Sequence, residues 1–207
     1  MTTAPSTAVT RREPGLPGQT VVIIGGSAGI GLETARRARA EGAEVILAAR
    51  RADRLQQAAA EVGADRTAAF DAHQWLAIEV ARLSAGRVRP GGTLLFMGGT
   101  TGRGRGPGLS FVAAATAAMP ALIANLAVEI APVRVNLIAP GFVDTPLSAS
   151  LLGDDLEVRR ARLRATLPIG RVVGPADVAA LAVALMTNTA LTGATYDIDG
   201  GQQLVAA

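Results

Sequence analysis

Three glycines lie at positions 25, 29 and 31 of the stretch "IIGGSAGIGLETARR", between an apolar run and a helical pattern. In such a turn the first glycine permits a tight bend, the second lets the backbone approach an anion, and the third allows close packing of helix on sheet. The N-terminus of the following helix faces the same anion. The spacing predicts a pyrophosphate site formed by Gly25, Ser27, Gly29, Ile30 and Gly31. A glycine-rich connection that binds no ligand is the alternative.

Two arginines follow the second predicted strand, which covers residues 43–50 and ends in "LAAR". A carboxylate at this point would accept the ribose hydroxyls of NAD, but Ala49 occupies the position. Arg50 and Arg51 suit a 2′-phosphate, because guanidinium groups bind phosphate through paired hydrogen bonds. The pattern favours NADP(H) as the cofactor, with NAD(H) as the second choice. The alternative is that the two arginines form only a solvated entry to the next helix.

Few side chains are candidates for proton transfer. His73 is the only histidine of the chain, and an imidazole that titrates near neutral pH can act as general acid or base beside a nicotinamide. The alternative is a histidine that caps or packs at the start of a helix. Between residues 111 and 119, Thr116 is the only side chain that can move a proton. We assign His73 and Thr116 as candidate catalytic residues, and we assign no metal ligands.

Further arginines lie outside these motifs. Arg103 and Arg105 belong to a glycine-rich loop after the predicted strand that ends at Met97, on the side where parallel sheets bind ligands. They are candidates for recognition of an anionic substrate, or they belong to a solvated loop. The arginines at positions 159, 160, 162 and 164 recur around a predicted helix, which indicates a solvated face.

Alternating strand and helix patterns must position these residues. The runs "QTVVIIGG", "AEVILAAR", "GGTLLFMGG" and "VRVNLIAPG" predict buried parallel strands, and "DRTAAFDA" is a plausible third strand in chain order. Helical patterns separate the strands, with residues 154–170 and 175–187 as the last two helices. The alternation predicts an α/β fold, a doubly wound parallel sheet of Rossmann type in three α/β/α layers. We expect a single domain over residues 19–207 after a disordered tail at residues 1–18.

Composition excludes several function classes. The chain has 207 residues, 49% of them hydrophobic, and no cysteine, which excludes disulfides and thiolate chemistry. All 20 basic residues are arginine, and the net charge of +3 comes without basic runs or aromatic platforms for nucleic acid. No apolar run reaches the roughly 20 residues that span a membrane. We therefore expect a soluble, cytoplasmic protein that binds neither nucleic acid nor membranes.

Four motifs together resemble those of the classical short-chain dehydrogenase/reductase family: "GGSAGIG", "LAVEIAPVRVNLIAPGFVDTPL", "GRVVGPADVAALAVALM" and "LTGATYDIDGG". The resemblance covers most of the chain from Gln19 onward, although Ile24 replaces the usual threonine before the first glycine. It implies an oxidoreductase that acts on a small organic substrate as a homodimer or homotetramer. It also implies nicotinamide contacts from the "PGFVDTP" segment, specifically Pro140, Gly141, Val143 and Thr145.

The active site of that family consists of a serine and a Tyr-x-x-x-Lys pair. Alignment on the resemblance places the serine at Gly99, the tyrosine at Val112 and the lysine at Thr116. The chain contains no lysine, and its only tyrosine is Tyr196. We therefore expect an NADP(H)-binding oxidoreductase with a non-standard active site. The alternative is a catalytically inactive protein that binds the cofactor or serves as an oligomer partner.

A second departure follows Ala72, where the chain passes directly from the third predicted strand to the next helix. The resemblance implies a βα unit between these elements, and the strand of that unit would lie between the first strand and the "GGTLLFMGG" strand. Its absence implies an opening in the sheet. A rearranged sheet is the alternative. The one or two residues that link the third strand to the next helix span only about 7 Å, which is too short to cross two neighbouring strands.

Overall fold

The computed structural model describes residues 15–49, 51–64, 66–69, 76–103 and 110–205, within which strands and helices alternate. The strands are β1 (Thr20–Ile24), β2 (Glu44–Ala49), β3 (Arg66–Ala69), β4 (Thr93–Met97), β5 (Arg134–Pro140) and β6 (Thr195–Ile198). The helices are α1 (Gly29–Ala40), α2 (Ala52–Val62), α3 (Leu76–Ser84), α4 (Ser110–Glu129), α5 (Pro146–Leu152), α6 (Leu156–Thr166) and α7 (Pro175–Thr187). The predicted α/β fold is confirmed. Helix α5 was not predicted as a separate element.

All strand pairs in the described part of the chain are parallel, but the strands form two sheets instead of one. One sheet has the order β1-β2-β3, and the other has the order β4-β5-β6. Strand β1 is paired only with β2, and β4 only with β5, among the described strands. The unpaired edges of β1 and β4 therefore border the opening that was expected in the sheet.

Helices α1, α2 and α7 pack on one face, and α3 and α4 pack on the opposite face of β4 and β5, which gives the second sheet the predicted three layers. Buried residues of α1, α2 and α7 share one core with β1, β2 and Ile138 of β5. Residues of α3 and α4 form a second core with Phe96, Val135 and Leu137 on the opposite face. None of the described helices is both long enough and apolar enough to cross a membrane.

The described core begins before the predicted domain boundary. Leu16, which the sequence analysis placed in the disordered tail, is fully buried and belongs to the core of α1, α2 and α7. Its N–H donates to the carbonyl oxygen of Glu41 at 2.8 Å. The tail prediction is therefore wrong for Leu16, because a hydrogen bond to a distant residue leaves no local pattern. Residues 1–14 lie outside the described residues.

A buried arginine closes the carboxyl end of α7. Arg134 of β5 is only 7% exposed. Its guanidinium donates to the carbonyl oxygens of Leu185 (2.9 Å), Met186 (2.8 Å), Asn188 (3.1 Å) and Leu191 (3.1 Å). Burial lowers the pKa of Arg134, but arginine keeps its proton in proteins. The positive charge therefore lies at the negative end of the helix dipole and satisfies carbonyls that the helix cannot.

We expect Arg134→Met to lower the free energy of unfolding by about 2–4 kcal/mol, because it leaves several buried carbonyls without donors. Chemical denaturation measures the change. Arg54→Met is the control, because Arg54 is exposed on α2, and we expect it to change stability by less than about 0.5 kcal/mol. Equal effects of the two substitutions would contradict the capping role.

Candidate functional site

The glycine turn after β1 has a geometry that side chains would disrupt. Gly25 adopts a φ of 84°, in the left-handed region, and its N–H donates to the carbonyl oxygen of Ala48 at 2.7 Å. A Cβ built on Gly31 would lie 2.8 Å from the carbonyl carbon of Gly25. Only glycine at position 31 lets α1 start this close to the turn. The turn is thereby fixed between β1 and the end of β2.

The amino end of α1 carries no side-chain cap. Ala28 occupies the N-cap position in an extended conformation, and the first turn of the helix contains no acidic residue. Its first N–H groups therefore lack the usual internal partner, and the positive end of the helix dipole is not neutralised. Ser27 is partly exposed in the turn, and Ile30 packs against the core. This arrangement suits an anion such as a pyrophosphate.

The structure places Arg51 beside a carboxylate that the sequence analysis did not consider. Arg51 Nη2 lies 2.6 Å from Asp53 Oδ2, and Nε lies 3.3 Å from Oδ1. This contact lowers the pKa of Asp53 to about 2, so the carboxylate stays ionised at neutral pH. Ala49 at the end of β2 is buried, with 4% exposure. Arg50 lies outside the described residues.

A second segment, residues 140–145 after β5, approaches the glycine turn. A Cβ built on Gly29 would lie 3.6 Å from Cβ and Cγ2 of Thr145. Pro140 ends β5 in register with Ile198, and the side chain of Val143 is buried. The Thr145 hydroxyl accepts the N–H of Ser148 at 3.2 Å and caps α5. The structure therefore brings together two of the predicted cofactor segments.

Arginines of α6 hold the 140–145 segment from one side. Arg160 Nη2 donates to Asp144 Oδ1 at 2.7 Å, and the same guanidinium contacts Glu157. These hydrogen bonds raise the pKa of Arg160. Arg159 lies over the ring of Phe142, with Cζ 5.8 Å from the ring centroid. The prediction of a wholly solvated arginine face is wrong for Arg159 and Arg160, because Phe142 and Asp144, which they contact, lie outside the helix.

The turn after β6 holds the same segment from the other side. Gln202 Oε1 accepts the N–H of Phe142 at 3.0 Å, and the N–H of Gly141 donates to the carbonyl oxygen of Ile198 at 3.2 Å. Asp199 is buried and accepts hydrogen bonds from the N–H groups of Gly201 (2.8 Å) and Gln203 (3.0 Å). Burial opposes ionisation of Asp199, but its hydrogen bonds outweigh that effect and lower its pKa.

A small cavity of about 160 Å³ includes two of the three positions at which the resemblance implies catalytic groups. The lining residues are Gly99, Arg103, Thr116, Ala117, Pro120, Leu137, Ala139 and Thr195. The hydroxyl of Thr116 donates to the carbonyl oxygen of Ala113 at 3.2 Å in its own helix. His73 and the side chain of Val112 lie outside the described residues. The structure thus places Gly99 and Thr116 in one cavity.

Arg103 lines this cavity with its charge already paired. Its guanidinium contacts both carboxylate oxygens of Asp197, with 2.9 Å between Nη2 and Oδ1, and donates to Gln203 Oε1 at 2.8 Å. The contact with Asp197 raises the pKa of Arg103. An anionic ligand would have to compete with Asp197 for these donors. Arg105 lies outside the described residues.

Comparison with known proteins agrees with this geometry. Residues 67–203 match the family described as "Enoyl-(Acyl carrier protein) reductase", and residues 19–82 match the family described as "short chain dehydrogenase". The chain is 36% identical over 118 residues to 4-formylbenzenesulfonate dehydrogenase TsaC1/TsaC2 of Comamonas testosteroni, a match that covers 55% of the chain and 47% of the relative.

A second relative is named as inactive. The inactive 2-(S)-hydroxypropyl-CoM dehydrogenase 2 of Xanthobacter autotrophicus is 33% identical over 131 residues, which is 60% of the chain and 57% of that protein. The matches therefore span about half the length of these relatives.

The structure also superposes on a small-chain dehydrogenase solved in complex with NADPH. The TM-score is 0.74 at 26% identity, over 90% of the chain and 99% of that structure. The family match of residues 67–203 covers well over half of the chain. Together with the glycine turn and the parallel α/β fold, it shows that the chain belongs to the short-chain dehydrogenase/reductase family.

Proposed function

We propose that the chain binds a nicotinamide dinucleotide, with NADP(H) preferred over NAD(H), and transfers hydride to or from a small organic substrate through a non-standard active site. The observation that carries the proposal is the glycine turn, where a Cβ on Gly31 would collide with Gly25 in front of an uncapped helix. Gly31 keeps α1 close to the turn, and the uncapped N–H groups at the start of α1 suit an anionic ligand.

The residues present fit such a cofactor. Gly25, Ser27, Gly29, Ile30 and Gly31 would hold the pyrophosphate, and Arg50 with Arg51 would hold the 2′-phosphate. Pro140, Gly141, Val143 and Thr145 would contact the nicotinamide end. When bound, the nicotinamide supplies the hydride chemistry, and the protein supplies binding, orientation and electrostatics.

The chain itself offers little acid or base catalysis in its described part. Gly99 has no side chain, and the Thr116 hydroxyl is bonded to its own helix. The proton of a carbonyl reduction would have to come from His73, from water or from the substrate. Substrates that need little help from an acid, such as iminium ions or activated alkenes, suit this site best. Exposed Leu147, Leu151 and Val158 on α5 and α6 offer an apolar surface to such substrates.

A second candidate is a catalytically inactive, cofactor-binding family member that acts as a sensor or oligomer partner. The loss of the serine, tyrosine and lysine favours it, and a relative named as inactive is an example within the family. We further propose a cytoplasmic homodimer or homotetramer. The absence of cysteine and the family resemblance support these last two points.

We expect Gly31→Ala to weaken NADPH binding at least about ten-fold, because its Cβ would displace the carbonyl of Gly25. Calorimetric titration measures the affinity, and circular dichroism checks the fold. Gly174→Ala is the matched control, since the nearest atom to a Cβ there is 3.9 Å away. If Gly31→Ala folds and binds NADPH as tightly as the control does, the glycine turn is not the pyrophosphate site.

The Arg51–Asp53 contact predicts a paired effect on cofactor choice. Removal of the competing carboxylate by Asp53→Asn should tighten NADPH binding about five-fold, while Arg51→Ala should weaken it about as much. Neither substitution should change the affinity for NADH, which lacks the 2′-phosphate. The affinities of both dinucleotides for both variants measure this. A parallel change in NADH affinity would remove Arg51 from 2′-phosphate recognition.

Turnover separates the two functions. We expect steady NADPH oxidation with at least one imine, enone, quinone or aromatic aldehyde, the last suggested by the name of the Comamonas relative. If His73 donates the proton, kcat for reduction should fall as the pH rises and the imidazole loses its proton. His73→Ala should remove that pH dependence. NADPH binding without turnover on any substrate would favour the inactive family member.

A further inference from the structure

A groove of about 440 Å³ lies between the facing edges of β1 and β4. One side of it is lined by Thr20, Val21, Val22 and Ile24 of β1, and the other by β4 residues from Thr93 to Phe96. Met186 of α7 lines it from one helical layer, and Val80 and Leu83 of α3 from the other. The groove therefore runs between the edges of the two sheets and reaches Ile46 of β2, with α7 on one side and α3 on the other.

The backbone of β1 presents free hydrogen-bonding groups to this groove. The N–H of Glu44 donates to Gln19 at 2.8 Å, and the N–H of Gly25 donates to Ala48 at 2.7 Å. A parallel ladder engages alternate residues of a strand. By that alternation, the amides and carbonyls of Thr20, Val22 and Ile24 point away from β2, and among the described strands none pairs with them.

The backbone of β4 does the same from the opposite side. The N–H of Arg134 donates to Gly92, and the N–H of Gly98 donates to Ile138, both at 2.8 Å. The alternation leaves the amides and carbonyls of Thr93, Leu95 and Met97 directed away from β5. The buried hydroxyl of Thr93 also lacks a hydrogen-bond partner among the described residues.

The side chains around the groove are apolar above and below the sheet plane. Val22 of β1, in the wall, is 56% exposed, which is unusual for an apolar residue of a parallel strand. Leu83 of α3 is 47% exposed. An occupant with apolar side chains on both of its faces would cover these surfaces.

Two arginines give the mouth of the groove a positive charge. Arg89 Nη1 donates to the carbonyl oxygen of Gly18 at 3.1 Å, and Arg87 Nη1 donates to that of Leu83 at 3.2 Å. Both side chains line the groove, and neither contacts a carboxylate in the described part of the chain. The mouth lies at the amino ends of β1 and β4, because Gly18 precedes β1 and Arg89 precedes β4.

We propose that the groove binds an extended segment of another polypeptide, about five residues long like β1, which runs parallel to β1 and β4 and pairs with both. The bound segment would consist of apolar, β-branched residues. An acidic residue before them would form an ion pair with Arg87 or Arg89. Strand addition of this kind combines backbone hydrogen bonds with side-chain pockets. An acyl chain would fill the apolar space but would leave both strand edges unpaired, so a peptide fits the groove better.

The test uses the full-length protein without dinucleotide and the peptide acetyl-Asp-Ile-Val-Val-Ile-Lys-Lys-amide. We expect saturable binding, a higher melting temperature, and slower hydrogen exchange at the amides of Thr20, Val22 and Ile24. The same peptide with alternate amides N-methylated on one edge keeps its apolar surface but loses donors. It should bind at least about ten-fold weaker. Because these readouts need neither cofactor nor turnover, they are independent of the proposed function.

A charge exchange tests the direction of the segment. Arg89→Glu, or Arg87→Glu if the former does not fold, should weaken the Asp peptide and strengthen a peptide with Lys in its place. Equal binding of the N-methylated peptide would overturn the proposal. The proposal would also be overturned if decanoate, but not the peptide, slowed hydrogen exchange at the same amides. A third contrary result would be exchange that slows only as the protein concentration rises. The last result would assign the groove to a second copy of the chain.

Discussion

The packing of α7 on α1 and on strands β4 and β5 is the interaction on which the rest of the structure depends. Val178, Ala182 and Val183 of this helix are buried in a core that contains residues of β1 and β2 together with Ile138 of β5. Arg134 ties the carboxyl end of the helix to β5 through four carbonyl groups. The helix therefore sets the position of one sheet relative to the other. It also sets the approach of the glycine turn, which follows β1, to Thr145, which follows β5.

The binding and the catalytic parts of the site differ in what they are made of. The proposed phosphate-binding part would depend on backbone N–H groups, a helix dipole and glycines, so few substitutions other than at the glycines would affect it. The catalytic part that the resemblance implies would depend on three particular side chains, but the chain contains no lysine and its only tyrosine is Tyr196. The glycine turn can therefore persist in a chain whose acid and base groups differ from those that the resemblance implies.

Local patterns in the sequence predicted the elements well, and long-range contacts account for what they missed. The proline, the first-turn Asp177 and the apolar run of α7 predicted that helix at residues 175–187, as observed. The glycine spacing likewise predicted the turn before α1. The burial of Leu16, the contact of Arg160 with Asp144 and the support of residue 142 by Gln202 each join residues far apart in the chain. The pairing of Arg51 with Asp53 is local, but rotamers decide it, and sequence does not specify them.

The division into two sheets also affects how the protein can gain and lose its structure. Strands β1 to β3 come from residues 20–69 and β4 to β6 from residues 93–198, so each ladder is formed by consecutive strands. Neither ladder needs the other in order to close, which keeps the sequence separation of strand contacts small. Cooperativity between the halves then depends on α7, which is made late in synthesis yet packs on α1, which is made early. The amino-terminal ladder can therefore form on the ribosome with α1 and α2, but the surface of α1 that packs on α7 remains uncovered until nearly the whole chain has emerged.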